Sequence, residues 1–271
     1  MSNSYFDEGS GYSTGGQQNS DRSNTNLIEI PSLDELRYKS RRVDYKNYNT
    51  PFWGARFVYE CGYKLKAHPI TIATAASLFH QFFREFDPNI YDRYLIGSTC
   101  LYIAGKMQDE PYKLRDVINV AHATVHRGSS PLDLKEEYWM RRESIVQAEL
   151  LIMRGLKFQI QTPTTHKYML HYLMTLRSWL PKTIWDSTPL CQASFSFLQD
   201  FYHDPAILDY KPQLVAIACI FLAIQCYGVE IPGARDSDDS SWYDVFSKER
   251  KEDVWNVVEL IMDNYNHEIS Y

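Results

Sequence analysis

An all-α chain made of two similar bundles of about five helices each is the fold class the sequence predicts, on three observations. Apolar residues recur at spacings of three and four through most of the chain beyond residue 52, the period of a helix with one buried face. No alternating apolar–polar run bounded by hairpin turns interrupts that pattern. Finally, Leu95-Ile96 and Cys100-Leu101-Tyr102-Ile103-Ala104 reappear 119 residues later as Leu214-Val215 and Cys219-Ile220-Phe221-Leu222-Ala223. At the same offset Leu78, Phe79, Phe82 and Phe83 meet Phe197, Leu198, Phe201 and Tyr202. Two stretches agreeing on one offset point to an internal repeat. Near the repeat ends Ala148-Glu149-Leu150 resembles Val258-Glu259-Leu260.

Residues 1–30 hold Gly9, Gly11, Gly15 and Gly16 among Ser, Asn, Gln and Asp. So little apolar surface does not offset the entropy of ordering, and a disordered tail is expected. A short helix with a linker is expected over 31–52, opened by Ser32-Leu33-Asp34-Glu35, where Ser and Glu stand at capping-box spacing. The basic residues Arg37, Lys39, Arg41, Arg42 and Lys46 read as a solvated helix face, with a nuclear-import or docking patch as the alternative. Ile72, Ala76, Phe79, Phe83 and Phe86 form the next apolar stripe. Residues 95–107 are mostly small and apolar, as a central helix closely approached by its neighbours requires. Asp133 with Glu136 reads as the cap of a long helix running to about Leu156. Thr162-Pro163 reads as a cap with proline in the first turn. Asp209 with Pro212, and Ser247 with Glu249, mark two further helix starts. Residues 128–131 and 233–241 read as loops.

Composition narrows the function. Twenty-eight Lys and Arg stand against 34 Asp and Glu, a formal charge of −6, which disfavours the clustered cations that a phosphate backbone demands. The longest apolar run, 214–224, is about half of a bilayer span. The start Met-Ser-Asn-Ser-Tyr-Phe-Asp-Glu has neither a basic nor an apolar signal region, so no signal peptide and no membrane partner is expected. Cys61, Cys100, Cys191, Cys219 and Cys226 are scattered singly and read as buried thiols of a reducing compartment.

Two charged residues are out of place. Glu149 lies within about 60° of Ile145, Val146, Ile152, Met153 and Leu156 on a helical projection. A carboxylate there needs an internal cation or an interface. Lys106 shares a face with Leu95, Tyr102 and Ile103 at the end of the small-residue helix, where complementing the helix dipole is its simplest role.

The segments around these residues, Leu101-Tyr102-Ile103-Ala104-Gly105-Lys106-Met107-Gln108-Asp109-Glu110 and Ala148-Glu149-Leu150-Leu151-Ile152-Met153-Arg154-Gly155-Leu156-Lys157-Phe158, resemble the two signature segments of the cyclin box. The likeness extends over most of 50–267 and implies a first cyclin box at 53–161 and a second cyclin-like repeat at 162–271. Finer likeness, to cyclins of the Q type, is carried by Arg115-Asp116-Val117-Ile118-Asn119-Val120, Glu143-Ser144-Ile145-Val146-Gln147, His166-Lys167-Tyr168-Met169-Leu170-His171-Tyr172-Leu173 and Gln225-Cys226-Tyr227-Gly228-Val229-Glu230-Ile231-Pro232.

The resemblance implies a non-catalytic subunit that binds and activates a cyclin-dependent kinase, kinase ten for the Q type, as a heterodimer phosphorylating protein Ser/Thr. It also implies that Lys106 and Glu149 contact the kinase backbone beside its regulatory helix. Met107, Met153, Phe158 and Ile160 would line the apolar part of that interface. Nuclear residence, alone or with the cytoplasm, is the expectation from family behaviour. This chain departs from the family at several points. Gln108 and Asp109 follow Met107 where two acids are usual. His80 stands where the acidic partner of the family Arg, here Arg56, usually lies, so that internal ion pair is not expected. Gly54-Ala55-Arg56-Phe57-Val58 replaces the Met-Arg-Ala-Ile-Leu substrate-docking segment. Of the Arg-x-x-Leu destruction pattern, only Arg177 to Leu180 fits, within predicted helix.

Catalytic readings are weak. His122 and His126 have i, i+4 spacing but no third ligand, so no metal is expected. Asp236, Asp238 and Asp239 read as solvated, and His166 and His171 as packing or surface residues. No phosphate-binding glycine loop or kinase motif is present, and no cofactor is expected. The alternative that shares the fold is a general transcription factor of the TFIIB type, binding DNA and polymerase. It is disfavoured by the acidic balance and the missing Cys-rich ribbon.

Overall fold

Helix ends and helix centres follow different rules in this chain, and together they set out the architecture. The computed structural model describes residues 45, 51–127, 132, 135–161, 164–231, 242–246 and 250–269. Among them run α1 (Pro51–Lys64), α2 (Pro69–Glu85), α3 (Arg93–Met107), α4 (Leu114–Val125) and α5 (Glu136–Gly155). There follow α6 (Thr165–Trp179), α7 (Lys182–Ser187), α8 (Leu190–Phe201), α9 (Pro212–Tyr227) and α10 (Lys251–Ile269). Two short 3₁₀ turns, Pro205–Asp209 and Trp242–Val245, complete the described elements, none of which is a strand. The tail, the helix start at 32–35, the basic stretch at 37–46, the loops at 128–131 and 233–241, Asp133, Thr162-Pro163 and the start at 247–249 lie outside the described residues.

Two helices are apolar all round and therefore central. In α3 Ile96, Cys100, Leu101, Ile103 and Ala104 are buried, together with Gly97, Ser98, Thr99 and Gly105. This helix packs against α1, α2, α4 and α5. Its counterpart α9 is buried from Leu214 to Ile220 and again over Leu222, Ala223 and Ile224, and packs against α6, α8 and α10. Shifting α3 by 119 residues gives 212–226, against the observed Pro212–Tyr227. Shifting α2 gives 188–204, against Leu190–Phe201.

The two central helices also end alike. The Glu110 amide donates to the Gly105 carbonyl at 2.8 Å and the Val229 amide to the Ile224 carbonyl at 3.1 Å, both at the same offset. The residue between, Asp109 (φ 54°) in one and Gly228 (φ 59°) in the other, is left-handed. This is the turn that satisfies the last free carbonyls of a helix. Glycine enters that conformation without steric cost, whereas aspartate does so at some expense.

One core joins the two halves: Tyr59, Ile72, Ala73 and Ala76 belong to the same buried cluster as Met169, Leu173, Phe201, Tyr202 and Leu214. Polar contacts cross the junction as well. His80 Nε2 lies 3.0 Å from the Tyr202 carbonyl oxygen, Arg84 Nη2 lies 2.7 Å from Asp209 Oδ1, and the His203 ring stands 4.5 Å from the Tyr59 ring. Burial lowers the pKa of His80 to about 4, with the Tyr202 carbonyl opposing the shift and Arg84 adding to it. His80 is therefore neutral near pH 7, and Arg56 instead lies 5.3 Å from the Trp53 ring centroid.

Several sequence expectations are corrected here. Asp209 does not cap α9; Pro212 opens that helix, while Asp209 sits in a 3₁₀ turn paired with Arg84. Cys61, Cys100 and Cys219 are buried, but Cys191 is only half-buried and Cys226 is exposed, because it lies on the last turn of α9 where neighbours thin out. The likeness of Val258-Glu259-Leu260 to Ala148-Glu149-Leu150 is one residue out of step. Buried Ile145, Ala148 and Ile152 of α5 match buried Val254, Val257 and Ile261 of α10, a shift of 109. A slip of one residue turns a helix face by about 100°, so Glu259 corresponds to Leu150, and Glu149 to Val258.

Candidate functional site

The site is assembled from the end of α3 and the outward edge of α5. Lys106 stands on the last turn of α3, directly after a glycine whose lack of a side chain is required. A Cβ at position 105 would stand 2.7 Å from the Glu110 carbonyl oxygen and 2.7 Å from the Tyr112 ring. The segment beyond Lys106 is therefore folded tightly back beneath the helix end. It is also tied to the start of α2. One Glu110 carboxylate oxygen accepts from the His68 amide at 3.2 Å and from Thr71 Oγ1 at 2.8 Å. Burial works against the charge of that carboxylate, but the neighbouring Tyr112 phenol and the hydrogen bonds from Thr71 and the His68 amide outweigh it and hold its pKa low.

Lys106 Nζ meets Glu149 Oε1 at 2.6 Å and lies 4.1 Å from the Tyr102 ring centroid. Burial disfavours the charged lysine, yet Glu149 and Tyr102 more than offset it, so the Lys106 pKa is raised. The pair is neither sealed nor fully solvated, its side chains being 45% and 26% exposed. Lys106 thus remains a fixed cation and has no use as a base.

The apolar stripe around Glu149 divides in two. Ile145 and Ile152 are buried against the bundle, whereas Val146 and Leu150 are exposed on the other side of the carboxylate. Met153 continues the exposed edge as a half-buried residue. At the end of α5 the Phe158 amide donates to the Met153 carbonyl at 2.8 Å, and both Lys157 (φ 52°) and Phe158 (φ 60°) are left-handed. That turn sets the Phe158 ring outward, 62% exposed. Met107 and Ile160 are half-buried. The structure thus joins Lys106 to Glu149 in an ion pair and leaves Phe158 open to solvent. Sequence reasoning missed Val146 and Leu150 as surface residues, although their 146/150/153 spacing with Met153 carried the signal. It also missed Glu110 as the partner of the α2 start. The local signal was Pro69 at a helix start preceded by His68, which in the structure makes no side-chain cap.

His122 and His126 stack with ring centroids 4.6 Å apart, and no group of three or more potential metal ligands occurs among the described residues. A cavity of about 650 Å³ is lined by Tyr59, Tyr63, Ile70, His166, Leu170 and Phe195 among others, with no carboxylate in its lining. Burial lowers the His166 pKa to about 4, so this imidazole is neutral; His171 is exposed. No described helix is long and apolar enough to cross a membrane.

Residues 53–161 match the family model described as the cyclin N-terminal domain. The chain is 29% identical to human Cyclin-K over 173 residues, 63% of this chain and 28% of that protein. It is 27% identical to Cyclin-T1-4 of Arabidopsis thaliana over 239 residues, 86% of this chain and 41% of that protein. It therefore spans less than half the length of these relatives. In fold it is similar to a chain of the yeast RNA Pol II CTD kinase CTDK-1 complex, with a TM-score of 0.62 at 18% identity, covering 87% of this chain and 72% of that one.

Proposed function

Because the chain belongs to the cyclin family, with the cyclin N-terminal domain at residues 53–161, we propose that it is the non-catalytic activating subunit of a cyclin-dependent kinase. The partner in this reading is kinase ten, the pair phosphorylates protein Ser/Thr, and it resides in the nucleus, alone or with the cytoplasm. Lys106 and Glu149 contact the kinase backbone beside its regulatory helix, and Met107, Met153, Phe158 and Ile160 line the apolar contact. The observation that carries the reading is the partly exposed Lys106–Glu149 pair bordered by uncovered apolar side chains.

The energetics agree. Holding a kinase helix inward keeps its glutamate paired with the ATP-orienting lysine. Moving such a switch from 1:99 to 99:1 needs about 5.5 kcal/mol of differential binding. A partly exposed ion pair supplies at most about 1 kcal/mol. Covering the open part of a ring like that of Phe158 supplies roughly 3 kcal/mol at the usual value per unit area. The apolar residues hold the partner, and the charged pair fixes its register.

Reversing both charges, Lys106→Glu with Glu149→Lys, preserves a mutual ion pair but presents the partner with inverted charges. The expected result is an unchanged helical circular-dichroism spectrum and at least a tenfold fall in co-purification with kinase ten. Undiminished co-purification of the doubly reversed chain would remove the interface from this surface. Recovery of a different cyclin-dependent kinase in stoichiometric amount would correct the partner alone.

A further inference from the structure

The last helix carries a second uncovered apolar face. In the register set by burial, Val146 and Met153 of α5 correspond to Trp255 and Met262 of α10, and these two are each 47% exposed. They are seven residues apart, so they share one face about 10 Å along the helix. Trp255 is braced from behind by Phe221 of α9, ring centroids 5.2 Å apart and nearly perpendicular, and Tyr227 at the end of α9 is exposed. Large apolar side chains gathered on one helix face in water mark a contact surface more often than chance.

The charge around this face differs from that around Lys106. Glu252, Glu259 and Asp263 are exposed and lie within about 80° of Trp255 on the helical projection. Asp263 accepts only a long 3.4 Å bond from Asn266, and neither Glu252 nor Glu259 forms an ion pair among the described residues. Lys251 is the adjoining cation, while Arg250 is engaged by Asp253 at 3.1 Å. The position equivalent to Lys106 is Gln225, so no cation borders the α9 side at that point. An apolar strip edged by carboxylates that form no ion pair among the described residues favours a partner that brings apolar anchors and positive charge together.

We propose that the outward face of α10, centred on Trp255 and Met262 and edged by Glu252, Glu259 and Asp263, is a docking surface for a basic amphipathic helix of another protein. It is separate from the Lys106–Glu149 surface and lies at the corresponding place in the second half of the molecule. Its partner is thus recognised by the opposite charge pattern, and both surfaces can be occupied at once.

The test uses the full chain and a fluorescein-labelled 18-residue peptide of Leu and Lys patterned at the helical period, with fluorescence anisotropy at physiological salt. Saturable binding is expected, at least tenfold weaker for Glu259→Lys with Asp263→Lys and for Trp255→Ala. The same composition in scrambled order is expected to bind at least tenfold more weakly too. The carboxylate variant changes exposed positions only and keeps the test valid if Trp255→Ala disturbs the fold. Equal binding of the scrambled peptide, of a Leu/Glu peptide, or to the variants overturns the proposal. So does concentration-dependent dimerisation of the chain abolished by Trp255→Ala, which would make a second copy the occupant. Lys106→Glu with Glu149→Lys must leave peptide binding unchanged, and Glu259→Lys with Asp263→Lys must leave kinase co-purification unchanged. Loss of the kinase in the latter would make this face part of one interface.

Discussion

Lys106 and Gln225 stand at the same place in the two halves of the molecule, on the last turn of a central helix closed by the same left-handed turn. Around them the halves diverge. In the first, Lys106 pairs with Glu149 on the last helix of the bundle; in the second, the position of Glu149 is taken by buried Val258. Beneath the turn the difference is steric: Gly105 admits the Glu110 carbonyl and the Tyr112 ring, whereas its counterpart Ile224 is a buried core residue. Backbone geometry is thus common to both bundles, while charge and close packing are particular to one. Repetition of a fold supplies equivalent surfaces, and a few side chains decide what each surface accepts.

The comparison can be broken most severely at Gly105. Gly105→Ala drives a methyl into a backbone carbonyl and a ring, and overpacking of this kind costs about 1–3 kcal/mol. The expected loss in urea denaturation is at the upper end of that range, because the obstructing carbonyl belongs to a segment tied to α2 by Glu110. Ile224→Val at the equivalent position removes one methylene and should cost only about 1 kcal/mol. Equal losses at the two positions would show that the turns are packed alike.

What couples the halves can be weakened with acid. His80 is held neutral with a pKa of about 4 in the folded chain, against an ordinary value of 6.5. The unfolded chain therefore binds the proton first. Stability is complete above about pH 6.5, falls as pH drops toward 4, and then levels off. Between pH 7 and 5 the loss is roughly 2 kcal/mol per such histidine. His203, whose pKa burial also lowers to about 4, adds to it. Melting temperatures should drop over this interval, and His80→Asn should make the drop shallower. An unchanged profile in that variant would place the acid sensitivity elsewhere.

The smallest effect concerns the turns themselves. Asp109→Gly should stabilise the chain by about 0.5–1 kcal/mol by relieving a left-handed non-glycine residue, and Gly228→Asp should destabilise it by a similar amount. No atom lies within 4 Å of a Cβ at position 228, so backbone conformation alone is at stake there. A large loss for Gly228→Asp would reveal a steric role that the structure lacks.

Much of this was legible in the order of residues. The all-α class, the two central helices and the 119-residue repeat follow from apolar spacing, because a helix records its environment every three or four positions. Lys106 and Glu149 stood out for the same reason, each a charge on an apolar face. The register of the last helix was read one residue away from where burial puts it, since a short run of similar letters is weaker than the pattern of inward positions. The exposure of Cys226, the bond from Glu110 to the start of α2, and the division of the α5 stripe into covered and open edges were not legible. Local periodicity fixes which residues share a face of a helix. Only the packing of distant elements determines whether anything lies against that face, and so whether an apolar strip is core or a surface waiting for a partner.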